Sequence, residues 1–170
     1  MEKAPSHSAD TADQETSSLN KSKIQQLPEP VFVSGPKTNL PQFNYPAFAE
    51  AEELIAECGV SVFNPTKLTN TADEYSEIMN SPDGSYNFAS GKTWSDFIIP
   101  SVKVIIDRVG SLVFLKDWQT SRGARLEAVV AHLCGKPCYT YPHLVELTAV
   151  DIATTLVPDD LFDGDNDGGE

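Results

Sequence analysis

Apolar residues gather along this chain in short runs set off by turn-forming residues, and the period of each run predicts its element. Val31 to Ser34 is a continuous small run stopped by Gly35 and Pro36, the pattern of a buried strand feeding a tight turn. From Asn44, placed as a cap with Pro46 in the first turn, Phe48, Ala51, Leu54 and Ile55 share one helical face as far as the stop at Gly59. Val60 to Phe63 predicts a second strand, ended by Asn64 and Pro65. Strand, helix, strand is the unit of a parallel sheet.

The alternation continues to the end of the chain. Trp94 to Arg108 predicts a helix that Pro100 should kink or divide. Ser111 to Leu115 is a third strand, Gly123 to Leu133 a helix closed by Gly135, Pro137 to Tyr141 a fourth strand, and Leu144 to Leu156 a terminal helix. Between Thr69 and Lys92 the chain is rich in Asn, Ser, Asp and Gly with little period, which predicts a long surface excursion of the kind used as a lid, a binding loop or a disordered insert. The expected fold is α/β, a doubly wound and mainly parallel sheet of four or five strands with helices on both faces, a flavodoxin- or Rossmann-like three-layer sandwich. Its ligand crevice lies at the carboxyl ends of the strands.

Composition adds boundaries to this picture. A chain of 170 residues, 40% hydrophobic, supports one domain with a real core. Residues 1–29 have almost no large apolar side chain before Ile24 and are expected to be a disordered tail. The domain then spans 30–157. Residues 158–170 carry Asp159, Asp160, Asp163, Asp165, Asp167 and Glu170 without a base, a solvated acidic tail. Asp163 to Gly168 also matches the opening of a calcium loop, but the chain ends before the twelfth-position ligand. A net charge of −13 excludes duplex nucleic acid as a partner, since phosphate contacts need a basic surface. No apolar run approaches the roughly 20 residues of a membrane span, and residues 1–20 lack the apolar core of a secretion signal. A cytoplasmic protein with no membrane partner is expected. Cys58, Cys134 and Cys138 read as reduced thiols, and no His and Cys set has metal spacing, so no cofactor and no metal is expected. His132 lies five residues beyond Glu127 and points away from it.

Three loops leave strand ends in this scheme. Ser34, Gly35, Pro36, Lys37 and Thr38 form the first, Asn64 to Thr66 the second and Lys116 to Arg122 the third. The first has the composition of an anion or ribose cradle, or of a plain tight turn, and lacks both the Rossmann glycine fingerprint and the Walker spacing. In the third, Ser121 and Gly123 sit where a helix begins, so free amides and the positive end of the dipole suit a phosphate. Glu127, one turn in, is either a pocket carboxylate or a first-turn acid that complements the dipole. Trp118 and Trp94, with Phe43 and Tyr45, are aromatics for a pocket wall or for the core.

Ser34 to Pro36, Asn44 to Phe48, Asn64 and Pro65, Trp94, and the segment Trp118 to Glu127 follow one another in an order that resembles a phage-associated branch of the nucleoside 2-deoxyribosyltransferase-like superfamily. The resemblance spans residues 31 to about 141. It implies that Glu127 attacks the anomeric carbon of a 2-deoxyribosyl group, expels the base and passes the sugar to water or to a second base, through an oxocarbenium-like transition state. It implies a small-molecule deoxynucleotide or deoxynucleoside as partner, and assembly as a homodimer or higher homo-oligomer. Ser121, six residues before the nucleophile, matches the phosphate-binding serine of deoxynucleoside 5'-monophosphate N-hydrolases, with Arg122, Arg125 or Lys37 as further phosphate contacts. Ser34, Gly35, Pro36, Lys37, Asn44, Trp118, Ser121, Arg122 and Gly123 are the expected substrate-binding residues.

The chain departs from the pattern at two positions where relatives carry Asp, namely Ser101 and Gly110, while Asp107 matches an acidic position. A serine cannot serve as a general acid near neutral pH. Either Asp96 or Asp107 then substitutes, or the leaving group is protonated from elsewhere, or activity is lost, and two other readings stand beside the enzymatic one. One is a nucleotide-binding sensor or decoy without turnover. The other is an interaction protein working through the acidic tail and the 69–92 excursion.

Overall fold

A computed structural model describes residues 20–38, 40–80 and 92–156. Both predicted tails therefore fall largely outside the described residues, as do the calcium-loop-like segment and the second half of the excursion. Strands β1 (Val31–Ser34), β2 (Val62–Phe63), β3 (Ser111–Phe114) and β4 (Cys138–Thr140) form one sheet in the order β2-β1-β3-β4. All three pairings are parallel, as strands joined through helices require.

Alternation along the two central strands divides the core. Val31, Val33, Val113 and Leu115 face one side, where they meet Phe48, Ala51 and Ile55 of helix α1 (Tyr45–Glu57). Phe32, Leu112 and Phe114 face the other and meet Ile105 of helix α4 (Trp94–Arg108) and Ala124, Ala128 and Ala131 of helix α5 (Arg122–Leu133). Helices thus cover both faces. The three alanines of α5, spaced four and three apart, let that helix lie close against the sheet.

Several expectations need correction. The excursion contains helix α3 (Ala72–Met79), which follows the short α2 (Pro65–Leu68). It is nucleated by a capping box in which Thr71 and Glu74 satisfy each other's backbone amides. The Lys92 ammonium lies 2.8 Å from Glu74 and ties the far end of the excursion back to α3. Helix α4 runs unbroken through Pro100. The proline withholds a donor from the Asp96 carbonyl, but Asp96 is on the exposed side, where water can replace it.

Asn44 precedes α1 in a left-handed conformation without a side-chain cap; its amide instead donates to the Pro36 carbonyl at 3.0 Å. The residues before β1 are partly structured, since 20–24 are helical and Ile24 and Leu27 are buried against α1. The terminal helix shrinks to α6 (Ala149–Ala153). In its place residues 144–147 run along the outer edge of β4, with Leu147 N–H donating to the Cys138 carbonyl and Thr140 N–H to the Val145 carbonyl. No helix among the described residues is long and apolar enough to cross a membrane.

Candidate active site

The carboxyl ends of β1 and β3 are adjacent, Ser34 pairing in register with Phe114. Two positions along from Phe32, Ser34 shares its face of the sheet, so its hydroxyl points toward α5. There Glu127 extends the alanine stripe, three residues after Ala124, and its side chain arrives at the strand end. Ser34 Oγ donates to Glu127 Oε2 at 2.5 Å, with both residues buried, a length typical of a hydroxyl on a carboxylate. Helix α4 presents Ile98, Ser101 and Ile105 as its buried stripe, which brings Ser101 to the same part of the cavity lining as Glu127, although its hydroxyl donates to the Phe97 carbonyl at 3.3 Å.

The loop after β1 runs beneath the next strand end. A Cβ on Gly35 would stand 2.9 Å from Leu115 Cβ, so only glycine permits this approach. The loop then delivers Lys37 into the cavity, its Nζ 5.5 Å above the Phe48 ring.

Charge and burial work against each other here. Burial pushes the Glu127 carboxyl above the ordinary carboxylate range, and the Ser34 hydrogen bond, the Lys37 charge and Ser101 pull it back. Burial likewise lowers the Lys37 ammonium, which the Glu127 charge opposes. The two groups are moved toward neutrality from opposite sides.

A cavity of about 480 Å³ opens over this pair, within the size range of small-ligand sites. Phe43, Tyr45, Phe48, Trp94 and Phe97 give it an aromatic wall. Thr120, Ser121, Arg122 and Gly123 line it at the start of α5. Ser121 caps that helix, its hydroxyl accepting from Ala124 N–H at 3.3 Å, and the Arg122 guanidinium stacks 4.5 Å from the Trp94 ring centre. Tyr45 Oη accepts from Asn70 at 2.6 Å. Among the described residues no group of three or more His, Cys, Asp or Glu side chains is placed to hold a metal ion.

Of the expected site residues, Gly35, Pro36, Lys37, Ser121, Arg122, Gly123 and Glu127 line the cavity. Ser34 touches it through Glu127, and Asn44 braces the loop from behind. Asp96, Asp107 and Trp118 lie elsewhere. Asp96 caps α4, accepting from Thr93 N–H at 2.7 Å, and Asp107 is exposed in an ion pair with Lys103. Both fall off the stripe formed by residues 98, 101 and 105, so neither reaches Glu127. Trp118 is buried against Phe114, ring centres 4.8 Å apart, because it packs with the core on that face of the sheet. Arg125 is buried, donates to the Thr155 carbonyl at 3.1 Å and does not line the cavity.

Gly110 has its own explanation. A Cβ there would stand 2.5 Å from the Glu29 carbonyl oxygen, so residues 28 and 29 fill the space a larger side chain would need. Phe97 and Ile98 entered the site unforeseen. Their signal was the helical spacing of Trp94, Phe97 or Ile98, Ser101 and Ile105, which makes one face of α4.

No curated protein and no solved structure matches this chain significantly. One family model does, over residues 29–140, a span that contains all four strands and every residue of the cavity. The chain belongs to the family described as a domain of unknown function, DUF4406.

Proposed function

We propose that this protein cleaves the N-glycosidic bond of a 2-deoxynucleoside 5'-monophosphate, or of the nucleoside, through a deoxyribosyl ester of Glu127 that is passed to water or to another base. The observation that carries the reading is a buried carboxylate at the carboxyl end of a parallel sheet, held through Oε2 by Ser34. A carboxylate fixed by one oxygen presents the other in a constant orientation. That suits attack on an anomeric carbon whose transition state is cationic. The hydrogen bond and the Lys37 charge favour the ionised form of the nucleophile and so oppose the burial that raises its pKa. The aromatic wall suits a base and the amide-rich start of α5 beside Arg122 suits a phosphate. A 2-deoxy sugar fits the chemistry, because it lacks the electron-withdrawing hydroxyl that destabilises the cation.

Incubation with each deoxynucleotide and deoxynucleoside, with and without a second free base, followed by chromatography, tests this. Wild type should release base and Glu127→Ala should not. Equal behaviour of the two on every substrate overturns the reading. A second reading, a nucleotide-binding protein without turnover, is favoured by one observation. Glu127 is the single carboxylate among the described residues that line the cavity. Tight nucleotide binding by calorimetry without base release would establish it.

A further inference from the structure

Expelling a base from a sugar needs a proton as well as a nucleophile, because the departing nitrogen takes the electron pair of the broken bond. The two aspartates that the sequence offered as donors are capping a helix and pairing with Lys103 on the outside of α4. The titratable and charged side chains that line the cavity are Lys37, Tyr45, Arg122 and Glu127. Glu127 is the nucleophile. Arg122 lies against Trp94, and a guanidinium does not give up its proton near neutral pH. The Tyr45 hydroxyl accepts from Asn70, a residue outside the cavity lining, at 2.6 Å, and its ring stacks on Tyr75, so its oxygen is directed toward the segment between α2 and α3 rather than toward Glu127.

We infer that Lys37 is the proton donor to the leaving base, so that a lysine from the β1 loop and a glutamate from α5 divide the acid and nucleophile roles. This rests on the glycosidase reading. Lys37 lines the cavity with its Nζ 5.5 Å over the Phe48 ring, one of the aromatics suited to the base, and its charge is felt by Glu127. The loop that carries it is seated by the Gly35 contact with Leu115 and the Asn44 bond to Pro36. Burial lowers the affinity of its ammonium for the proton and Glu127 raises it. That coupling lets the proton leave as the Glu127 charge is consumed. In the first step a Glu127 oxygen forms a bond to C1', the C1'–N bond breaks toward nitrogen, and that nitrogen takes a proton from the Lys37 ammonium. In the second step water attacks C1', the ester bond breaks back to the Glu127 carboxylate, and the Lys37 amine takes the proton of the water. Substrate and water become free base and free sugar, and the enzyme returns to its starting charge.

The test compares wild type, Lys37→Met and Lys37→Arg on a natural deoxynucleotide and on 4-nitrophenyl 2-deoxyriboside 5-phosphate, whose nitrophenolate departs without a proton. Thermal melts establish that each variant folds. Both variants should release natural base about 10²-fold or more slower than wild type, and the deficit should shrink at least about tenfold on the nitrophenyl substrate. Arginine keeps the charge beside Glu127 but cannot donate, so recovery of natural base release by Lys37→Arg would overturn the inference. So would equal deficits on both substrates, which would leave Lys37 only an electrostatic role and the glycosidase reading intact. Wild type should also lose natural base release as pH rises through the lysine's titration, a limb absent with the nitrophenyl substrate. If wild type cleaves neither substrate, the glycosidase reading itself fails and the assignment of Lys37 fails with it.

Discussion

Replacing Ser34 with alanine removes one hydroxyl from the end of β1 and leaves the backbone held, since the Ser34 carbonyl still accepts from Leu115 N–H at 2.8 Å. What disappears is the 2.5 Å donor to Glu127 Oε2. A hydrogen bond to a charged group contributes about 1.5–3 kcal/mol when its partner is buried, and Glu127 is only 6% exposed. Since about 1.4 kcal/mol is a factor of ten, the ionised fraction of Glu127 below its titration should fall by roughly ten- to a hundredfold. The acid limb of the rate profile for base release should therefore move to higher pH in Ser34→Ala, with activity approaching wild type only above that displaced limb.

Stability gives an independent reading of the same bond. Burial raises the folded-state pKa of Glu127 above its unfolded value, so the folded state holds more protons than the unfolded one between those values, and stability falls as pH rises through that window. Removing Ser34 extends the window upward. Urea titrations should show a larger loss for the variant at pH 8 than at pH 5. An acid limb and a stability difference that both stay where they are in wild type would refute the idea that Ser34 supports the charged carboxylate.

Glu127→Gln should abolish base release yet stabilise the fold at pH 8. A gain of about 1 kcal/mol would raise Tm by roughly 3–5 °C, and the gain should vanish below the ordinary carboxylate range, where both states are protonated; calorimetry at the two pH values checks it. Gly35→Ala should cost about 1–3 kcal/mol by overpacking against Leu115, and Gly110→Ala more, because its Cβ would meet backbone at 2.5 Å rather than a side chain that can shift. Chemical denaturation ranks them. Cys134 is exposed and Cys138 buried, the thiol of the latter pushed up to about 12 by burial and Glu146. Iodoacetamide on the native protein should alkylate Cys134 first and Cys138 only after unfolding, as peptide mapping would show.

The sheet was legible because its central strands are buried on both faces and so leave continuous apolar runs at residues 31–34 and 111–115, which hardly any other structure requires. Helix α3 was not, although its signal was present. Thr71 followed three residues later by Glu74 is a capping box, but the helix it starts is short and mostly polar, and periodicity alone passes over it. In the site, Glu127, Ser121 and Lys37 could be placed from loop position. The Ser34 contact could not, since it joins residues 93 apart and depends on which face of β1 the serine occupies. The displaced aspartates teach the complement. Residues 96 and 107 lie near Ser101 in sequence, but the face of a helix is set by steps of three and four, and five or six residues carry a side chain round to the solvent.

The segment along β4 bears on how copies of this chain can meet. An open sheet ends in strands whose outward N–H and C=O groups invite another strand, and β4 would be such an end. Here residues 144–147 occupy that ladder, with two backbone bonds and the Tyr139 to Glu146 bridge. A foreign strand would have to displace them before it could pair. Growth of the sheet from molecule to molecule is therefore blocked on this side, which guards against fibrous aggregation. Self-association on this side would then draw on side chains such as the exposed Val145.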